Sequence, residues 1–187
     1  MAGPVVLIVT GPPGSGKSTA AKLVAQRFAR AACVESDWFW TTIVKGFVAP
    51  WRAEADAQNR AVLGAMAETV AALATAGYAV VVDGIVGPWH LGLVSEPLAR
   101  RGVETHYTVL RPALAVTQAR VISRARGERA SGLLAAAFAD EDPVAHMWEQ
   151  FSALGDLEDH VVDNARLDPE QTAALVWSRY RAGTDRL

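Results

Sequence analysis

The chain has 187 residues, 51% of them hydrophobic and 20% charged, a composition that fits a globular domain with a full core and excludes a disordered or fibrous chain. A formal net charge of −2 excludes a global basic field, so neither nucleic acid nor an anionic membrane is expected as a partner. The single cysteine, Cys33, excludes an intramolecular disulfide, and the short apolar run near the N-terminus reads as neither signal peptide nor membrane span, so a cytoplasmic protein is expected.

In chain order, residues 5–10 (VVLIVT) are apolar and β-branched, the pattern of a buried strand. They run into Gly11-Pro12-Pro13-Gly14-Ser15-Gly16-Lys17-Ser18-Thr19, which satisfies G-x-x-x-x-G-K-[ST]. Residues 18–30 then carry Ala20, Leu23, Val24 and Phe28 at helical spacing. Strand, glycine loop and helix in that order is the setting of a phosphate-binding loop. The glycines let the backbone turn its N–H groups inward, and the helix N-terminus adds partial positive charge where phosphates sit. Lys17 can reach the β- and γ-phosphates of a nucleotide, and the Ser18 hydroxyl can ligate Mg²⁺. With three lysines against fifteen arginines in the chain, a lysine inside a glycine loop is the more telling.

Residues 32–35 suit a second strand ending at Glu35-Ser36-Asp37. Trp38-Phe39-Trp40 follow, then Phe47, Pro50, Trp51 and Arg52, an aromatic-rich stretch outside any periodic pattern. Residues 54–76 form an Ala-rich amphipathic helix with Val62, Leu63, Met66, Val70 and Leu73 on one face. Residues 78–82 (YAVVV) read as a third strand ending at Asp83-Gly84, 89–101 as a helix interrupted by Pro97, and 105–110 (THYTVL) as a fourth strand. Pro112 is expected at the first position of a helix running to about 126. Residues 127–142, with two glycines and mixed polarity, have the composition of a mobile segment. Asp142-Pro143 and Asp168-Pro169 each supply an N-cap and a first helical residue, and 157–162 read as a fifth strand weakened by Glu158-Asp159. Strands alternating with helices, with no repeat or linker, argue one α/β domain over 1–187, a parallel sheet with helices on both faces.

Ligands of such sheets bind beyond the C-terminal strand ends. The polar residues there are Ser36-Asp37, Asp83-Gly84, Arg111 and Asp163-Asn164. The Asp37 carboxylate can take the proton of a hydroxyl attacking the γ-phosphate, or cap a short helix at Trp38. Asp83 stands where a Mg²⁺-organising acid would, and can also bind substrate or start the turn at Gly84. Arg120, Arg124, Arg126 and Arg129 surround Gly127. Phosphoryl transfer needs cations over the transferring group, for which Arg124 and Arg126 come first; basic residues also collect at helix C-termini with no such role. Trp38, Trp40 and Trp89 can wall an acceptor pocket with Arg52 or His90 as polar anchor, or belong to the core.

On GPPGSGKST at 11–19, ESD at 35–37, VVVDG at 80–84, the arginine-bearing segment 120–129 and VVDN at 161–164, the chain resembles the P-loop small-molecule kinases. Within them it resembles the gluconate- and shikimate-kinase-like enzymes and, somewhat more, the chloramphenicol phosphotransferase-like proteins. The resemblance implies a five-stranded parallel sheet of order 2-3-1-4-5, ATP as donor with Mg²⁺, and a nucleotide cradle of residues 11–19 with Arg120. It further implies an adenine pocket lined near 163–166, including Asn164, a catalytic or substrate-binding acid at Asp37, and a mobile arginine lid at about 124–142. The chain departs from the pattern at DGIVG (83–87), a partial echo of a glycine-rich substrate signature, and in its tryptophan-rich acceptor region. The expected activity is transfer of the γ-phosphate of ATP to a hydroxyl of a small, ring-bearing molecule, an antibiotic for example, by a monomer or homodimer. A nucleoside or nucleotide kinase, or a non-catalytic ATP-binding regulatory module, are the alternatives.

Overall fold

The computed structural model describes residues 3–127 and 143–187, with side chains at all of these except 124–127 and 143. In chain order the elements are β1 (Val5–Thr10), α1 (Lys17–Ala25), β2 (Ala31–Glu35), α2 (Ser36–Thr41), a 3₁₀ turn (Ala53–Ala55), α3 (Asp56–Thr75), β3 (Ala79–Asp83) and α4 (Pro88–Ala99). There follow β4 (Glu104–Leu110), α5 (Leu114–Gly127), α6 (Pro143–Gln150), a second 3₁₀ turn (Gly155–His160), β5 (Val161–Val162) and α7 (Pro169–Ala182). Among the described residues the five strands make one sheet in the order β2-β3-β1-β4-β5, every pairing parallel. This is the expected topology.

The alternation along β1 explains why both faces are covered. Successive strand side chains point to opposite sides. Val6 and Ile8 join Leu63, Met66, Val70, Val80, Val82 and Tyr107 on the α3–α4 side. Val5, Leu7 and Val9 join Ala20, Val24, Val81, Ala173 and Val176 on the α1–α7 side. A strand apolar on both faces is what a parallel sheet between two helical layers requires.

Several boundaries differ from expectation for local reasons. α1 stops at Ala25 rather than near 30. The helix expected to open at Pro112 opens at Leu114. The fifth strand is confined to Val161–Val162, because Gly155–His160 coils into a 3₁₀ turn. Glu158 holds that turn: it accepts from the Leu154 N–H at 2.8 Å and pairs with both terminal nitrogens of Arg111. Those contacts, the Arg111 guanidinium first, bring the Glu158 carboxyl down to about 2. Trp38–Trp40, left outside any element by the sequence pattern, lie in α2. The Asp168 cap is as expected: its side chain accepts from the Gln171 N–H at 2.7 Å, and Gln171 returns the bond to the Asp168 N–H.

Unforeseen is the tail after α7. It runs antiparallel beside the N-terminal half of β4, the part that β5 leaves uncovered, through Tyr107 N–H to Asp185 O (2.8 Å) and Leu187 N–H to Thr105 O (3.0 Å). Asp185 is fully buried there, paired with Arg179 and accepting from the Thr108 hydroxyl at 2.6 Å. An edge that would otherwise expose unpaired backbone is closed in this way.

Candidate active site

The glycine loop leaves β1 and delivers Lys17 as the first residue of α1, with Gly16 at the N-cap. Two glycines are required by close approach. A Cβ at Gly11 would collide with the Leu110 carbonyl, and one at Gly14 with the Thr117 carbonyl, and both residues have positive φ (+144° and +79°). Other side chains are therefore excluded by both strain and space. The loop is thus wedged against the end of β4 and the first turns of α5. Two side chains from far along the chain reach its backbone: Asn164 Nδ2 donates to the Ser15 carbonyl at 2.9 Å, and Arg120 Nη1 donates to the same oxygen at 3.4 Å.

The acids come together across the sheet. Asp83 ends β3, in register with Val9 of β1 on one side and Glu35 of β2 on the other. It is 6% exposed, and its Oδ1 is buried without a hydrogen-bond partner among the described residues. Burial pushes its carboxyl above the ordinary range; the Lys17 ammonium and a hydrogen bond from Ser18 oppose that, while Asp37 and Glu35 add to it. Lys17, Ser18, Asp37 and Asp83 therefore form one electrostatic group at the C-terminal end of the sheet. Asp37 is exposed in the first turn of α2, beside the Ser36 hydroxyl at 3.4 Å. Because α2 begins at Ser36 with Glu35 at its N-cap, Asp37 is not the cap of a helix at Trp38. Glu35, for its part, pairs with Lys22 at 2.8 Å.

The loop after β3 is latched from below by two residues that the sequence reading missed. The Thr10 hydroxyl accepts from the Val86 N–H at 3.0 Å, and the Tyr107 hydroxyl donates to the Val86 carbonyl at 2.8 Å. Burial pushes the Tyr107 phenol well up, so it stays a donor. Tyr107→Phe leaves that buried carbonyl unmet, at an expected cost of about 1–3 kcal/mol in unfolding free energy. Denaturant unfolding checks this, and an unchanged midpoint would count against the latch. Thr10 looked like one more β-branched strand residue; only the paired loop reveals its second role.

The aromatic stretch divides. Trp40 is a correction to the expected pocket wall: it is 7% exposed, sits in the core, and donates from Nε1 to Asn59 Oδ1 at 3.1 Å. Phe39 and Phe47 also pack on that core. Gln58 clasps Val48 through both its N–H and its carbonyl, and Asn59 donates to the Pro50 carbonyl at 2.7 Å. The loop before α3 is thereby fixed to that helix. Trp38 (63%) and Trp89 (43%) remain exposed, Trp89 lying edge-on to Phe151 at 5.4 Å. Arg52 is exposed. His90 is half-buried, with its pKa pushed down by burial.

Arg111, one of the strand-end residues, is used structurally: besides Glu158 it donates to the Phe151 carbonyl at 2.7 Å. Arg124 and Arg126 lie on α5, which takes in the start of the lid expected over 124–142, while their side chains and residues 128–142 fall outside the described residues. The donor set suits Mg²⁺, a hard cation that takes one or two carboxylates and completes its shell with water and phosphate oxygens. The Ser18 hydroxyl and the unpartnered Oδ1 of Asp83 are oxygen donors of that kind and could hold such an ion. No helix among the described residues is long and apolar enough to cross a membrane.

A family profile described as AAA domain matches residues 6–154. No curated relative matches the sequence. Among solved structures, the chain is similar to the Deinococcus radiodurans tunicamycin resistance protein at 16% identity, covering 99% of this chain and 98% of that one with a TM-score of 0.65. It is similar to the Mycobacterium tuberculosis APS kinase in complex with AMPPNP and APS at 20% identity, covering 96% and 98% with a TM-score of 0.67. The Acinetobacter baumannii shikimate kinase in complex with shikimate matches at 15% identity over 97% and 95%, with a TM-score of 0.64. At these identities the likeness is one of fold, that of the P-loop small-molecule kinases.

Proposed function

Since the chain belongs to the AAA-domain family and carries a P-loop kinase fold, we infer that it transfers the γ-phosphate of ATP to a hydroxyl of a small, ring-bearing molecule. The observation that carries this reading is Asp83, a buried carboxylate with one oxygen, Oδ1, lacking a hydrogen-bond partner among the described residues, at the strand end next to the glycine loop and set among Lys17, Ser18 and Asp37.

In this reading the backbone of residues 11–19 cradles the phosphates, and Lys17 neutralises their charge. Ser18 and Asp83 hold Mg²⁺, which when bound supplies positive charge to the phosphate oxygens. Asp37, exposed at the mouth and adjacent to Asp83, accepts the proton of the acceptor hydroxyl. Arg120 and the backbone near Asn164 border the nucleotide. Arg124 lies one helical turn beyond Arg120, and with Arg126 it is assigned to the transferring phosphoryl group. Trp38 and Trp89, the exposed aromatics, with Arg52 as a polar anchor, are assigned to the acceptor. The Deinococcus neighbour is named for tunicamycin resistance, which is in keeping with an antibiotic-like acceptor. The working unit is taken as one domain over 1–187, acting in the cytoplasm.

Asp37→Asn tests the base. Acceptor-dependent ADP release should fall by about 10²-fold or more while the Kd for ATP stays within about threefold. Near-native turnover would remove Asp37 from that role.

A further inference from the structure

The contact between Asn164, Arg120 and the glycine loop has a chemical consequence. A peptide unit is planar and trans, so its C=O and its N–H point in opposite directions. The Ser15 carbonyl belongs to the same peptide as the Gly16 N–H. Asn164 Nδ2 holds that carbonyl at 2.9 Å and Arg120 Nη1 holds it at 3.4 Å. The Gly16 N–H is thereby turned to the side away from both. Both side chains border this residue: a Cβ built at Gly16 would lie 3.5 Å from Asn164 Nδ2 and 3.9 Å from Arg120 Nη1. Arg120 Nη2 also reaches the Asn164 carbonyl at 3.3 Å, closing a triangle between the loop, the chain after β5 and α5. Asn164 is 2% exposed, which shields its bond from competing water.

We propose that Asn164 and Arg120 are a positioning pair for phosphate: they fix the Ser15–Gly16 peptide so that the Gly16 N–H faces the phosphate cradle before the ligand arrives. A loop of this kind binds phosphate through inward N–H groups, and a peptide free to rotate would have to be ordered at the moment of binding. This inference rests on the nucleotide-binding reading above. It differs from a contact with the adenine base, because it makes both side chains act on phosphate affinity alone, base or no base.

The test uses the full chain, Mg²⁺ and two probes, ATP and inorganic tripolyphosphate, which carries the phosphates without the nucleoside. Asn164→Leu and Arg120→Met are each expected to raise the Kd of both probes by a similar factor, about five- to tenfold, with Arg120→Lys recovering part of the loss. Arg120 is only partly buried, so its two variants carry the test if Asn164→Leu does not fold. Weaker ATP binding with unchanged tripolyphosphate binding would assign the pair to the base and overturn the proposal, as would unchanged affinity for both. A native protein that binds neither probe would instead overturn the nucleotide reading, and this proposal with it.

Discussion

Lys17→Ala is expected to lower phosphoryl transfer by about 10³-fold or more and to weaken ATP binding, with the fold retained. The lysine opens α1 directly after the loop, where its charge adds to that of the helix N-terminus. It also offsets the burial of Asp83. Losing it therefore removes the assigned phosphate partner and leaves Asp83 harder to ionise, which would weaken the assigned cation site as well. Neither Lys22, tied to Glu35, nor the distant Lys45 stands in the loop to replace it. Turnover and ATP titration check this beside a thermal melt. Native-like turnover with an intact melt would take Lys17 out of the reaction.

Asp83→Asn should move activity and stability in opposite directions. Turnover is expected to fall by about 10²-fold or more, since the carboxylate assigned above to the cation is gone. The melting temperature of the ligand-free protein rises. The sign follows from linkage: burial raises the folded pKa of Asp83 above its unfolded value. The group's contribution to stability is then fully present below the unfolded carboxylate pKa and is lost as pH rises through the folded one. At neutral pH the ionised carboxylate is a burden that the amide lacks. The gap between native and Asp83→Asn melting temperatures should widen as pH rises through the carboxylate range and close again in acid. A variant less stable than the native protein at neutral pH would show that Asp83 is structural.

Much of this was legible in the sequence because it is local. The β-branched run before the loop, the GPPGSGKST spacing and the Asp168-Pro169 cap are each decided by neighbours within a few residues, and strand, loop and cap stand where expected. The strand-end rule led to Asp83, although not to its burial. What escaped depends on partners distant in sequence. Asn164 meets Ser15 across 149 positions, and Tyr107 meets Val86 across 21. Trp40 carries no label distinguishing it from Trp38, yet one faces Asn59 in the core and the other faces outward. The tail at Asp185–Leu187 is too short to show a period, and pairs only because β5 stops early. Within 157–162 the charged pair Glu158-Asp159 did signal a weak strand, and Arg111 explains what took its place.

The most direct test of the account is to incubate the purified protein with Mg²⁺, ATP radiolabelled in its γ-phosphate, and a panel of hydroxyl-bearing antibiotics, nucleosides, nucleotides and sugar acids. Label should appear on an acceptor hydroxyl in an amount equal to the ADP formed, and should vanish with Lys17→Ala. ATP binding that depends on Lys17, with no label transferred to any acceptor, would contradict the kinase reading and make the chain a nucleotide-binding module.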